Sequence, residues 1–81
     1  MAQVILPELG EQVKKATVTF WFFKVGDTVK ENDDLVEMTT DKAAFNVPSP
    51  YSGILKEILV NEGDVVQVGT ALAVIEQVLP R

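Results

Sequence analysis

Apolar positions along this chain come in short alternating or continuous runs, each stopped by a cluster of Gly, Pro, Asn or Asp, and no helical spacing is sustained. Val4-Ile5-Leu6 is a short apolar strand ended by Pro7, and Glu8 to Lys15 is a polar surface loop. Thr17 to Phe23 (TVTFWFF), rich in β-branched and aromatic residues, is the strongest strand by composition. Lys24-Val25-Gly26-Asp27 supplies turn chemistry, a short run at Thr28-Val29 follows, and Lys30 to Asp34 is a polar turn. Beyond Pro50, strands are predicted at Ile54 to Val60, Val65-Val66 and Ala71 to Glu76, separated by Asn61-Glu62-Gly63-Asp64 and a turn through Gly69. The pattern predicts an all-β chain.

The pattern also repeats. Displacing the chain by the 37 residues between Gly26 and Gly63 brings Gly26-Asp27 onto Gly63-Asp64, Val29 onto Val66 and Leu35 onto Leu72. Trp21, Phe22 and Phe23 then fall on Ile58, Leu59 and Val60, and Met38 on Ile75. Two halves that each expose an apolar face bury it against each other, so the prediction is two small antiparallel sheets related by an approximate two-fold axis. In the second half the counterpart of the central turn falls at Leu79, which puts the chain ends near one pole and the central turn near the other.

That central turn lies between Leu35 to Thr40 and Ala43 to Val47, two strand-like runs around the polar pair Asp41-Lys42. They predict a β-hairpin with one primary amine at its tip. Asp-Lys is an unusual tight-turn pair, since such turns favour Asn-Gly or Asp-Gly. Pro48 and Pro50 stop the outgoing strand and stiffen the corner that follows. Phe45, Met38 and the aromatics Phe20 to Phe23 are read as core or near-core.

Composition narrows the function. The 81 residues suffice for one small domain, which buries only about 60% of its extended surface. With 47% hydrophobic residues a core is expected, and without Cys it has neither a disulfide nor a thiolate metal site. Twelve acidic and seven basic residues leave a net charge of −5, which speaks against a nucleic-acid partner. No apolar run is long enough for a helical membrane span. There is no His and there are only two Ser, so acid–base or nucleophilic catalysis has no activated group. On composition, independent catalysis is not expected of this chain.

On its own, Lys42 is one of six lysines, and an exposed turn lysine ordinarily does nothing but stay solvated. Its context changes that. Thr40-Asp41-Lys42-Ala43, followed by Val47-Pro48-Ser49-Pro50 and Gly53, resembles the lipoyl domain of 2-oxo acid dehydrogenase complexes. The resemblance extends through Leu6 to Glu11, Trp21 to Asp27 and Gly63 to Ile75, about residues 3 to 77. It implies a flattened barrel or sandwich with the lysine at a hairpin tip, and lipoic acid in amide linkage to Lys42. Asp41 and Ala43 would flank the lysine for the lipoyl-attaching enzyme, and Thr40, Glu8 and Glu11 would take part in partner recognition. The chain departs from the family pattern at Gln12, Ala16 and Thr39, where members often carry Gly, Gly and Glu. These departures bear on partner choice more than on fold.

The resemblance further implies a mechanism. The lipoyl group is reductively acylated by a thiamine diphosphate-dependent 2-oxo acid decarboxylase. The acyl group then passes to coenzyme A in the acyltransferase core of the parent chain, and dihydrolipoyl dehydrogenase reoxidises the dithiol. Three rivals remain: a biotinyl carrier, whose lysine typically lies between methionines; the usually longer glycine-cleavage carrier; and an unmodified adaptor barrel. Residues 1–77 are expected to form the domain and 78–81 the start of a linker. The start at Met1 lacks a secretory signal and a transit segment, so the bacterial cytoplasm is favoured over the mitochondrial matrix.

Overall fold

The computed structural model describes residues 2–10 and 12–77. Their strands are β1 (Ala2–Ile5), β2 (Lys15–Trp21), β3 (Thr28–Val29), β4 (Asp34–Thr39), β5 (Ala44–Pro48), β6 (Gly53–Ile58), β7 (Val65–Gln67) and β8 (Ala71–Gln77), with no helix among the described residues. Hydrogen bonds gather them into two four-stranded antiparallel sheets, ordered β1-β8-β6-β3 and β5-β4-β2-β7. Exchanging the halves turns one order into the other, so the predicted two-fold relation is present.

The relation holds residue by residue. Val18 opposes Met38 and Trp21 opposes Val36 across β2 and β4; their counterparts Leu55 and Ile75, and Ile58 and Ala73, oppose each other across β6 and β8. Even the bulge between Val18 and Phe20 recurs between Leu55 and Glu57. The halves are also stitched together. Gly26 N–H donates to the Leu55 carbonyl at 2.7 Å, and Gly63 N–H to that of Val18 at 2.7 Å. Both turns place glycine at a left-handed φ, 97° at Gly26 and 96° at Gly63, where a side chain is disfavoured.

Each turn is closed by an aspartate: Asp27 Oδ2 accepts the Lys24 N–H at 2.8 Å, and Asp64 Oδ2 the Asn61 N–H at 2.8 Å. Because these sites are equivalent, Asp27→Ala and Asp64→Ala should each lose about 1 kcal/mol. Urea denaturation should show two similar shifts in midpoint; a shift in only one would deny the equivalence.

The sandwich interior repeats the same pairing. Val18, Leu35, Val36, Met38 and Val66 from one sheet meet Leu55, Leu72, Ala73, Ile75 and Val29 from the other, all buried. Trp21 and Phe23 pack against this core, as do Phe45 and Ile58. Phe20 and Phe22 do not: they are exposed, correcting the expectation that the whole aromatic run turns inward. The reason is strand alternation beyond the bulge, where Trp21 takes the inward position opposite buried Val36. β2 ends at Trp21, short of the predicted Phe23, and β6 at Ile58, short of the predicted Val60.

The outer strands β1 and β5 are equivalent too, but at a different spacing. Leu6 exchanges backbone hydrogen bonds with Thr70 and Gly69, as Ser49 does with Asp33 and Asn32. Leu6 and Ser49 lie 43 positions apart, not 37, so the connection from β1 to β2 holds about six surplus residues. Gln77 pairs with Gly53 and Ala2 with Ile75, both at the end of the sandwich where β4 begins. Lys42 follows the other end of β4. Ala2 and Gln77, the first and last described residues, therefore lie opposite the lysine; Leu79 and the expected linker at 78–81 fall outside the described residues.

Candidate functional site

The β4–β5 hairpin presents Lys42 through a turn built on one hydroxyl. The last strand pair is Thr39 with Ala44. Beyond it, the Thr40 N–H donates to the Ala43 carbonyl at 2.9 Å. The return bond goes to a side chain: the Lys42 and Ala43 N–H groups both donate to Thr40 Oγ1 at 3.2 Å. That hydroxyl in turn donates to the Ala43 carbonyl at 3.1 Å. Neither Asp41 nor Lys42 has a positive φ. A turn closed in this way needs no left-handed residue, which is why Asp-Lys stands where Asn-Gly would be expected.

Asp41, Lys42 and Ala43 are exposed and Thr40 is half-buried. The turn is anchored below by Thr39, whose Oγ1 lies 2.6 Å from that of Thr19 on β2. An exposed amine thus sits on a backbone held at two threonines.

Beside the hairpin lies an open groove of ≈ 790 Å³, lined by Gln12 to Thr17, Thr39, Thr40, Asp41 and Val65. Its far wall is the surplus length of the β1–β2 connection. Of the residues assigned to recognition from the sequence, the structure brings together Thr40 and Asp41. Glu8 lies apart from them, in a second hollow with Gly10, Val13, Lys14, Lys15, Gln67 and Val68. Glu11 is outside the described residues. Lys14 and Lys15, at the end of the loop Glu8 to Lys15, bring positive charge to the groove that Asp41 also lines.

A two-fold sandwich with one lysine on the hairpin between its halves defines a carrier-type barrel, and the comparisons with known proteins agree. The biotin/lipoyl family profile, described as biotin-requiring enzyme, matches residues 2–75. The chain is 44% identical over 75 residues to the dihydrolipoyllysine-residue succinyltransferase component of the 2-oxoglutarate dehydrogenase complex of Staphylococcus saprophyticus, covering 93% of this chain and 18% of that protein. It is 46% identical over 72 residues to the dihydrolipoyllysine-residue acetyltransferase component of the pyruvate dehydrogenase complex of Corynebacterium glutamicum, covering 89% and 11%. Among solved structures, the lipoyl domain of the 2-oxoglutarate dehydrogenase complex of Azotobacter vinelandii superposes with a TM-score of 0.75 at 32% identity, over 93% of this chain and 95% of that one.

The chain belongs to the biotin/lipoyl family. Within it, the chain is a lipoyl domain of the 2-oxo acid dehydrogenase acyltransferase type, not a biotinyl one, and it spans less than a fifth of the curated relatives' length.

Proposed function

We propose that Lys42 carries lipoic acid in amide linkage through Nζ. The domain would then move acyl groups and reducing equivalents between a thiamine diphosphate-dependent 2-oxo acid decarboxylase, the acyltransferase core of its parent chain and dihydrolipoyl dehydrogenase. The observation that carries this reading is the exposed Lys42 on a turn clamped by Thr40 Oγ1, in a chain that matches lipoyl domains over nearly its whole length. The residues present suit the group: the amine is exposed, its backbone is fixed, and the tip projects away from the core. When bound, the dithiolane would supply a disulfide that accepts an acyl group together with two electrons.

The chain's own contribution is presentation and tethering. A protonated lysine amine is a poor nucleophile, so the lipoyl-attaching enzyme must remove its proton and bring an activated lipoyl group. Asp41 and Ala43 would border the lysine in that enzyme's site, and Thr40, Glu8 and Glu11 would contribute to partner choice. Anchoring at the pole opposite Lys42 leaves the tip free to reach successive active sites, and the tether makes each visit effectively intramolecular.

Intact mass after expression with lipoate, biotin and a competent ligase tests it. One added lipoyl group, absent from Lys42→Ala, is expected. An added biotinyl group would move the chain to the biotin-dependent carboxylases, and no added mass would return it to an adaptor barrel. Thr40→Val should slow modification roughly fivefold, the equivalent of about 1 kcal/mol of lost turn stability, whereas Thr40→Ser should not. Equal rates in a timed lipoylation assay would remove the hydroxyl clamp from the account.

A further inference from the structure

The groove beside the hairpin is an addition to the two-fold fold, made at the pole that carries Lys42. The chain takes ten steps from Leu6 to Ala16 but only four between their counterparts, Ser49 and Gly53. The surplus supplies the groove's far wall through Gln12 and Val13. Its floor is a row in register across three strands: Val65 on β7, Thr17 on β2 and Thr39 on β4. Directly opposed residues share a face of the sheet, and alternation puts Lys15 on that face as well, two residues before Thr17.

Charge in the groove runs against the charge of the chain. The net charge is −5, yet Lys14 and Lys15 line the groove against one carboxylate among the described residues, that of Asp41. Both lysines are exposed. An amide at Lys42 would remove that residue's own positive charge and leave Lys14 and Lys15 as the groove's cations. Thr40 and Asp41, which immediately precede Lys42, also line the groove, so a group attached to Lys42 starts at its edge.

Resting on the lipoyl attachment proposed above, we propose that Lys14 and Lys15 hold the lipoyl arm in this groove when its load ends in a free carboxylate, and leave it free when the load is uncharged. Val65, Thr17 and Thr39 line the path of the arm's methylenes, and the two ammonium groups meet the carboxylate. The groove thereby favours acyl groups derived from 2-oxo acids that carry a second carboxylate. The occupant is already attached at the groove's edge, so its effective concentration is high and a weak contact suffices to hold it. Exposed ion pairs are individually weak, and the carboxylate-ended arm should be held about fivefold more than the uncharged one. Asp41 opposes the carboxylate, but two cations outweigh it.

The test needs no partner enzyme. The chain has no Cys, so after reduction iodoacetate and iodoacetamide alkylate the arm's two thiols and no protein thiol, each thiolate displacing iodide. The first reagent leaves carboxylates on the arm, the second uncharged amides of nearly the same shape. Backbone amide resonances of Lys14, Lys15, Thr17 and Val65 should move in the carboxylate-ended form, relative to the unalkylated one, and stay in place in the amide-ended form. Salt should suppress the movement. So should Lys14→Gln/Lys15→Gln, once intact mass shows it fully lipoylated and its other resonances are unchanged. Comparing the two arms in the wild type decides the matter even without that variant. Equal movements with both arms would overturn selection by charge, and none with either would overturn the groove as a holding site; both results leave the carrier function standing. A Lys42 that takes no lipoyl group would overturn that function and this inference together.

Discussion

Gly53→Ala should destabilise this domain far more than any glycine-to-alanine change at its turns, and the two-fold symmetry supplies its own control. A Cβ built on Gly53 would lie 2.1 Å from the Glu76 carbonyl oxygen and 2.9 Å from its carbon. Both are backbone atoms of β8, to which β6 is paired at Gly53 and Gln77. A flexible side chain could move aside; the carbonyl cannot without opening the ladder. Overpacking of this kind costs about 1–3 kcal/mol, occasionally more, and the backbone contact puts Gly53→Ala at about 3 kcal/mol. For a domain of this size that is roughly a 12–24 °C fall in Tm. The equivalent position in the other half is Ala16, buried and paired with Val66. Here the Cβ is already housed, so Ala16→Gly should cost no more than about 1 kcal/mol, chiefly as backbone entropy. Calorimetry on the two variants should give a large fall for the first and a small one for the second. Similar falls would mean that the close approach of β6 and β8 is not what keeps position 53 free of a side chain.

The contrast between Gly53 and Ala16 also shows where the sequence is legible. Gly26 and Gly63 stand out because their turns need a left-handed residue, and that need fixed the 37-residue displacement. Through it came the two sheets and the equivalence of Leu35 with Leu72 and Met38 with Ile75, while the all-β class came from the strand pattern itself. The same displacement cannot find the kinship of β1 and β5, because about six surplus residues shift Leu6 out of step with Ser49. Those surplus residues form the wall of the groove beside Lys42, so the asymmetry that hides part of the repeat also shapes the site's surroundings. Phe20 and Phe22 were misplaced for a different reason. Composition marks TVTFWFF as a strand but does not show the bulge that decides which rings turn outward. At the hairpin, the motif marks Lys42 and the structure puts it exposed on the turn, whereas the bonding of Thr40 depends on a side chain replacing a backbone carbonyl, which residue types alone do not reveal.

The hairpin itself yields the sharpest test of presentation. In Asp41→Lys/Lys42→Ala and in Lys42→Ala/Ala43→Lys, the lysine stays exposed on the same turn but moves by one residue. That displaces its Cα by about 3.8 Å and redirects its side chain. Misplacement of a reacting group by about 1 Å can already cost 10²-fold, so lipoylation of either variant should fall by at least roughly 100-fold. Stability should hardly change, since Asp41, Lys42 and Ala43 are all exposed. The comparison is internal to the chain: five other lysines remain, and an enzyme that chose by exposure alone would accept the shifted one as readily as the original. Position 43 is the stricter case, because its N–H and carbonyl are both held by Thr40. Its side chain therefore departs from a fixed backbone in a fixed direction, and the attaching enzyme cannot recover the geometry by bending the turn. Timed intact-mass measurement would settle the matter. Efficient modification at 43 would make accessibility the whole basis of selection and leave the threonine clamp a matter of stability alone. Loss at both shifted positions would make the clamped turn the feature by which Lys42 is told from the other lysines.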